Sequence, residues 1–266
     1  MKKVLSIAGS DCSGGAGIQA DLKTFTAHKL YGMSVITALT AQNTMGVKGV
    51  LEASPEFVGM QIDAIFEDIV PDAVKIGMVS NIDIIKTISE RLVYYKAKNI
   101  VLDPVMISTS GSKLLDENAV DMLKSKLLPI ADIITPNIPE AESLCGFSIV
   151  TSEDMEKAAW KIAQSLKGAV LIKGGHFSDN SDDLLISKGN KYIFYSKKID
   201  NPNTHGTGCT LSSAIACNLA MGYDMERSIQ NAKNYITGAL QDKLNLGKGR
   251  GPLNHCYNLT NKADYS

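Results

Sequence analysis

Residues able to do chemistry fall in short polar or glycine-rich segments, each placed directly after an apolar run. The first reads Gly9-Ser10-Asp11-Cys12-Ser13-Gly14-Gly15-Ala16-Gly17. Later ones read Gln42-Asn43-Thr44, Gly77-Met78, Asp103-Pro104-Val105-Met106, Pro136-Asn137-Ile138-Pro139-Glu140 and Lys173-Gly174-Gly175-His176. The sharpest is Asn203-Thr204-His205-Gly206-Thr207-Gly208-Cys209-Thr210, which leads into a run of small residues over 211–220. Glycines ahead of a helix leave backbone N–H groups pointing at one spot, with the positive end of the helix dipole behind them. Such a spot suits a phosphate, although the same residues also describe a plain glycine turn. Two nucleotide motifs are absent: the first glycine loop carries no lysine, as G-x-x-x-x-G-K-[ST] would need, and no G-x-G-x-x-G opens a helix after the first strand.

The apolar runs that must position these segments cover residues 4–8, 34–40, 73–76, 100–102, 133–135 and 169–172. They are short and β-branched, as strands buried on both faces are. Amphipathic helical patterns alternate with them, so the chain reads as βαβ units on a mostly parallel sheet with helices on both faces. In such a sheet ligands bind beyond the carboxyl ends of the strands, where the polar segments lie. Ser54-Pro55 marks one helix start and Thr151 with Asp154 resembles a capping box at another. Phe57, Ile62, Ile65 and Ile69 are expected on one core face, and Met225, Ile229, Ala232, Ile236 and Leu240 on another. Two alternating runs around Lys188-Gly189-Asn190 predict a small antiparallel hairpin. With no repeat and no linker, residues 1–266 are read as one domain.

The composition narrows the partners. Lys and Arg number 27 against 28 Asp and Glu, a formal net charge of −1, so no basic excess exists to bind nucleic acid or an anionic membrane. No stretch approaches the roughly 20 apolar residues of a membrane span, and Met1-Lys2-Lys3 runs straight into a strand-like segment, so a cytoplasmic protein is expected. The 5 cysteines form no C-x-x-C pair and are read as reduced thiols.

Taken together, A-G-S-D-x-S-G-G-A-G-I-Q-A-D at 8–21, T-A-Q-N-T at 40–44, K-I-G-M at 75–78, L-D-P-V-M at 102–106, T-P-N-x-P-E at 135–140, K-G-G-H at 173–176 and H-G-T-G-C-T at 205–210 resemble the hydroxymethylpyrimidine/phosphomethylpyrimidine kinases of the ribokinase-like superfamily. The resemblance runs in order from residue 3 to about residue 255. It implies a ribokinase-like fold, ATP and Mg2+, and phosphorylation of 4-amino-5-hydroxymethyl-2-methylpyrimidine and then of its monophosphate in thiamine biosynthesis. A homodimer is also implied.

Carried over by position, Gly9, Ala16, Asp21, Gln42, Met78 and Val105 would form the substrate pocket. An amide at Gln42 can donate and accept toward an aminopyrimidine edge, and Met78 and Val105 offer apolar walls. Asp21 would meet the amino or hydroxymethyl group, or else simply sit in a helix first turn. Asp103 and Glu140 would hold Mg2+ directly or through water; Glu140 follows Pro139 at a helix start and has capping as its other reading. Lys173 and Thr204 would face the nucleotide phosphates. Gly206, Thr207, Gly208 and Cys209 would surround the transferring group. Where most ribokinase-like enzymes have an aspartate base, Cys209 stands, and a neutral thiol there spares an anionic second substrate from repulsion. A helix N-terminus can also lower a thiol pKa, which would let Cys209 accept a proton. A polar loop at 108–113 is expected to close as a lid.

Two departures from the family pattern are Cys12, where proline is usual, and the segment from Arg250 to His255, which keeps only the Gly-Pro and the last histidine. The nearest alternative is a pyridoxal kinase of the same subfamily, which shares H-G-T-G-C-T. A non-catalytic binding protein is the other; it could dispense with Asp103, Lys173 and the 206–208 turn, all of which are present.

Overall fold

The computed structural model describes residues 1–79, 81–106, 117–174 and 182–259. Nine strands form one sheet in the order β3-β2-β1-β4-β5-β6-β7-β8-β9. They are β1 (Lys3–Asp11), β2 (Tyr31–Asn43), β3 (Gly46–Glu52), β4 (Ala73–Ile76), β5 (Ile100–Leu102), β6 (Ile133–Ile134), β7 (Ala169–Ile172), β8 (Asp183–Ser187) and β9 (Asn190–Phe194). From β2 to β7 across the sheet every pairing is parallel. The helices are α1 (Gly17–Ala27), α2 (Pro55–Phe66), α3 (Ile82–Tyr94), α4 (Glu117–Met122), α5 (Ile138–Cys145), α6 (Ser152–Ala163), α7 (Thr207–Ala220) and α8 (Met225–Gln241). None of the described helices is long and apolar enough to cross a membrane.

Alternation along the central strands explains the three layers. Leu5, Ile7, Val74, Ile76, Leu102 and Ile134 point to the face covered by α2 through α6. Val4, Ala73, Val101, Ile133 and Leu171 point to the other, covered by α1, α7 and α8. Each strand is thus buried on both sides, as its continuous apolar run foretells. The chain turns left from β1 to β2 and then right to β4, which makes the carboxyl ends of β1 and β4 the switch point where an open α/β sheet leaves a crevice.

The expected hairpin is β8–β9, turned by Lys188 at φ 49° and Gly189 at φ 76°, the pair of positive values a two-residue primed turn requires. A second hairpin, β2–β3, was not expected. It turns through Thr44 and Met45, with Asn43 Oδ1 accepting the Met45 amide. The Ser54 cap and the Thr151–Asp154 capping box form as read. Of the expected α2 face, Ile62 is buried and Ile65 and Ile69 pack against the core, Ile69 from beyond the helix end; Phe57 departs from it at 56% exposed, and Val58 and Phe66 join Ile62 in the core instead. On α8, Ile229, Ala232 and Ile236 are buried and Met225 and Leu240 pack at the margin, as expected.

Candidate active site

The N-terminus of α7 is built by two glycines. Gly206 caps the helix at φ 84°, and a Cβ there would lie 1.9 Å from the Gly15 carbonyl oxygen, so the two glycine loops touch backbone to backbone. A Cβ on Gly208 would lie 3.3 Å from Lys173 Nζ and 3.4 Å from Asp103 Oδ2, in space a ligand would otherwise fill. The Thr210 amide makes the first helical bond, to the Gly206 carbonyl at 2.9 Å, and the Thr207 amide turns back to the Thr204 carbonyl at 3.3 Å. The amides of Gly208 and Cys209 have no acceptor among the described residues. A helix of 14 residues stands behind them, so they and its dipole make an anion site.

These amides open on a cavity of about 1140 Å³ at the carboxyl edge of the sheet. Gly9 reaches it from the last part of β1 and Ala16 from the loop that follows, Gln42 from the end of β2, Met78 from just after β4, and Asp103 and Val105 from just after β5. Glu140, Lys173, Thr204, Gly206, Thr207, Gly208 and Cys209 complete the set of expected residues on its wall. Gly9 lets Met78 in: a Cβ there would meet Met78 Sδ at 3.0 Å. The expected lid at 108–113 and His176 lie outside the described residues.

Asp21 is the one expected site residue that does not reach the cavity. It is fully buried, and both its oxygens lie 2.9 Å from Lys75 Nζ, with Ser6 Oγ donating at 2.6 Å and Ser213 Oγ at 2.7 Å. With its acceptor capacity taken up inside the protein, it holds Lys75, whose fully buried side chain lies on the cavity wall instead. Burial opposes the charge on Lys75, but the attraction of Asp21, with Cys209 and Asp103, overrides it and raises the pKa.

Asp103 accepts from Lys173 Nζ at 2.9 Å and Thr135 Oγ1 at 3.1 Å on one oxygen, and on the other, among the described residues, only from Ser212 Oγ at 3.4 Å. Burial works against its ionisation, and Lys173 and Lys75 outweigh it to lower the pKa. Glu140 does cap its helix: it accepts the Asn137 amide at 2.8 Å in a full capping box. It also lies on the cavity wall, and burial, aided by Asp103 against the pull of Lys173, pushes its carboxyl up to about 7. The capping reading therefore holds, and the same carboxyl group also lines the cavity.

For Cys209 the structure corrects the idea of an activated thiolate. Burial, with the carboxylates of Asp21 and Asp103, outweighs Lys75 and the Gly17 amide and pushes the thiol up to about 11. It is neutral at pH 7, which leaves the uncharged-residue reading.

Several wall residues carry no role in the sequence reading. Asp11 accepts from the Ser13 amide and hydroxyl on one oxygen and from the Gly15 and Ala16 amides on the other, shaping the first glycine loop, and His205 Nε2 lies 2.8 Å from the second oxygen. These contacts hold its carboxyl, against burial, at about 2. Ile199, Pro202 and Leu240 make an apolar end of the cavity beyond the Gly206 turn. A lysine inside the buried strand Ala73–Ile76 was the available signal for Lys75, since a charge there requires a partner.

Three comparisons bear on this geometry. The family model described as phosphomethylpyrimidine kinase matches residues 11–254. The hydroxymethylpyrimidine/phosphomethylpyrimidine kinase of Haemophilus influenzae is 43% identical over 260 residues, covering 96% of this chain and 97% of that one. A thiamine biosynthesis bifunctional protein of Geobacter sulfurreducens is 48% identical over 253 residues, and there the match covers 95% of this chain but 52% of the longer protein. Among solved structures, an ADP complex of Bacillus subtilis pyridoxal kinase superposes with a TM-score of 0.90 at 36% identity, covering 97% of this chain and 98% of that one.

Proposed function

The chain belongs to the hydroxymethylpyrimidine/phosphomethylpyrimidine kinase family of ribokinase-like phosphotransferases, and from that premise we propose that it phosphorylates 4-amino-5-hydroxymethyl-2-methylpyrimidine and then the resulting monophosphate with ATP. One juxtaposition carries the reading: the unpaired amides of Gly208 and Cys209 open on the same cavity as Gln42, Met78 and Val105. A phosphoryl group held by the first set lies beside a flat ring held by the second. The substrate oxygen attacks the γ-phosphorus as the bond to the β-phosphate oxygen breaks and ADP departs. In so loose a transition state positioning and charge stabilisation dominate, and the alcohol's proton passes late to an oxygen of the transferred phosphoryl group, so a neutral Cys209 is no obstacle.

Asp103 and Glu140 supply two hard oxygen donors on one wall, which fits Mg2+ arriving with nucleotide phosphates and keeping several waters. When bound, the ion would neutralise charge on the transferring group. Lys173, paired with Asp103, faces the same phosphates as a point charge. Ile199, Pro202 and Leu240 offer an apolar seat for the adenine. A homodimer is supported by the outer hairpin, where the register pair Leu39 and Leu51 is 49% and 68% exposed.

A coupled assay with purified protein, ATP and Mg2+ tests the reading, with the pyrimidine alcohol, its monophosphate and pyridoxal as competing acceptors. Formation of the pyrimidine diphosphate is expected. Turnover of pyridoxal alone would replace this reading with the pyridoxal kinase one, which the closeness of the Bacillus subtilis fold keeps as the second reading.

A further inference from the structure

Gln42 sits between two hydrogen-bonding neighbours whose protons are already committed. Thr40 Oγ1 donates to the Ser10 carbonyl at 2.9 Å and lies 3.2 Å from the Gln42 amide oxygen. The Gln42 amide nitrogen lies 3.2 Å from His205 Nε2, and that same ring nitrogen is 2.8 Å from Asp11 Oδ2. An ionised carboxylate accepts only, so His205 Nε2 must carry a proton whether the ring is neutral or charged. An amide nitrogen facing it would set N–H against N–H. Exchanging the two ends of the amide, a half-turn about its last bond, removes the conflict: the nitrogen donates to Thr40 Oγ1, and the oxygen takes a share of the single His205 Nε2–H, bifurcated with Asp11 Oδ2. One orientation therefore satisfies every group.

We propose that Asp11, acting through His205, fixes which way round the Gln42 amide faces the ring, making both positioning residues for substrate selection. This rests on the substrate class proposed above. In the fixed orientation Gln42 still has one N–H and one carbonyl lone pair to offer. That pair matches a ring nitrogen beside an exocyclic amino group in a single register. A pyridine alcohol of the same size has no amino donor for the carbonyl, and a site built to pair a polar group rejects the analogue lacking it. Asp11 also orders the loop that carries Ala16, so the same carboxylate sets two sides of the ring pocket.

The test is the ratio of kcat/KM for 4-amino-5-hydroxymethyl-2-methylpyrimidine to that for pyridoxine, in wild-type protein, His205→Phe, His205→Gln, Gln42→Ala and the His205→Phe/Gln42→Ala double variant. His205→Phe should lower the ratio about tenfold, the order expected for one misdirected hydrogen bond. His205→Gln, which keeps an N–H for Asp11, should restore most of it, and His205→Phe should add nothing once Gln42 is alanine. Proportional losses on both acceptors, or additive effects in the double variant, would overturn the proposal. Wild-type protein that phosphorylates no pyrimidine overturns the functional reading instead. Should the variants not fold, nitrogen-15 NMR of the wild-type decides: a proton on His205 Nε2 is required, and a ring protonated only on Nδ1 refutes the relay.

Discussion

Replacing Cys209 with aspartate should separate the two phosphorylations. The two lysines whose charges bear on that position are already matched, Lys75 with Asp21 and Lys173 with Asp103. A carboxylate at residue 209 would stand near the substrate oxygen that attacks phosphorus. For the alcohol that oxygen is neutral and the new charge acts as an ordinary base. For the monophosphate it is anionic, and two unit charges about 4 Å apart at an effective dielectric of 20 repel by about 4 kcal/mol. That corresponds to about 10³-fold in rate. The burial that lifts the thiol to about 11 will lift the introduced carboxyl too, so part of the population stays protonated and the observed penalty falls toward about 10²-fold.

The assay is kcat/KM for each acceptor, measured separately in Cys209, Cys209→Ala and Cys209→Asp proteins. Alanine should leave both steps at comparable fractions of the wild-type rate, since the Gly208 and residue-209 amides are retained. Aspartate should lower the second step about a hundredfold more than the first, with partial recovery as pH falls and the carboxyl protonates. Equal losses in both steps, or a pH profile unchanged by the aspartate, would refute the electrostatic reasoning.

Two further outcomes follow from the carboxylates. Glu140 is raised to about 7, so activation by Mg2+ should tighten as pH rises from 6 to 8 in the wild-type and be weaker, by about tenfold, and flat in Glu140→Gln; because folding favours the protonated form, the stability it contributes below its unfolded pKa is lost as pH rises through 7, a slope the glutamine variant should lack. Asp11 is lowered from 3.8 to about 2, so its ionised form stabilises the fold above pH 4 and that contribution disappears as pH falls through 2. Asp11→Asn should cost about 2 kcal/mol in urea denaturation at pH 7 and progressively less toward pH 2, and a pH-independent difference would contradict the assignment.

The central strands were legible because burial on both faces leaves a signature that needs no partner to decode: three short apolar runs, at 73–76, 100–102 and 169–172, are strands to the residue. The β2–β3 hairpin was not, for a physical reason. All seven residues of β3 are at least partly exposed, so no alternation marks it, and its turn is made by an Asn43 side chain and Gly46 rather than by the Asn-Gly or Lys-Gly pair that announces β8–β9. On α2 Phe57 was misplaced because it and Val58 are apolar neighbours at a helix start; which one turns inward depends on the helix orientation over the sheet.

At the site, residue type located the chemistry but could not say which atoms face the ligand. Asp21 and Asp103 are both acids, one in α1 and one after β5, and both carry a lysine partner. They differ in what else they touch. Asp21 spends its remaining acceptor capacity on Ser6 and Ser213, whereas one oxygen of Asp103 accepts, among the described residues, only from Ser212 Oγ at 3.4 Å. Those hydroxyls come from β1 and α7, distant in sequence from Asp21, so only the packed fold decides the outcome. The consequence is a division of labour: Asp21 keeps Lys75 charged at the cavity wall, and Asp103 retains capacity for a cation. An Asp21 that instead faced the substrate would leave Lys75 buried without a neutralising partner, a larger cost than the loss of one contact to a ligand.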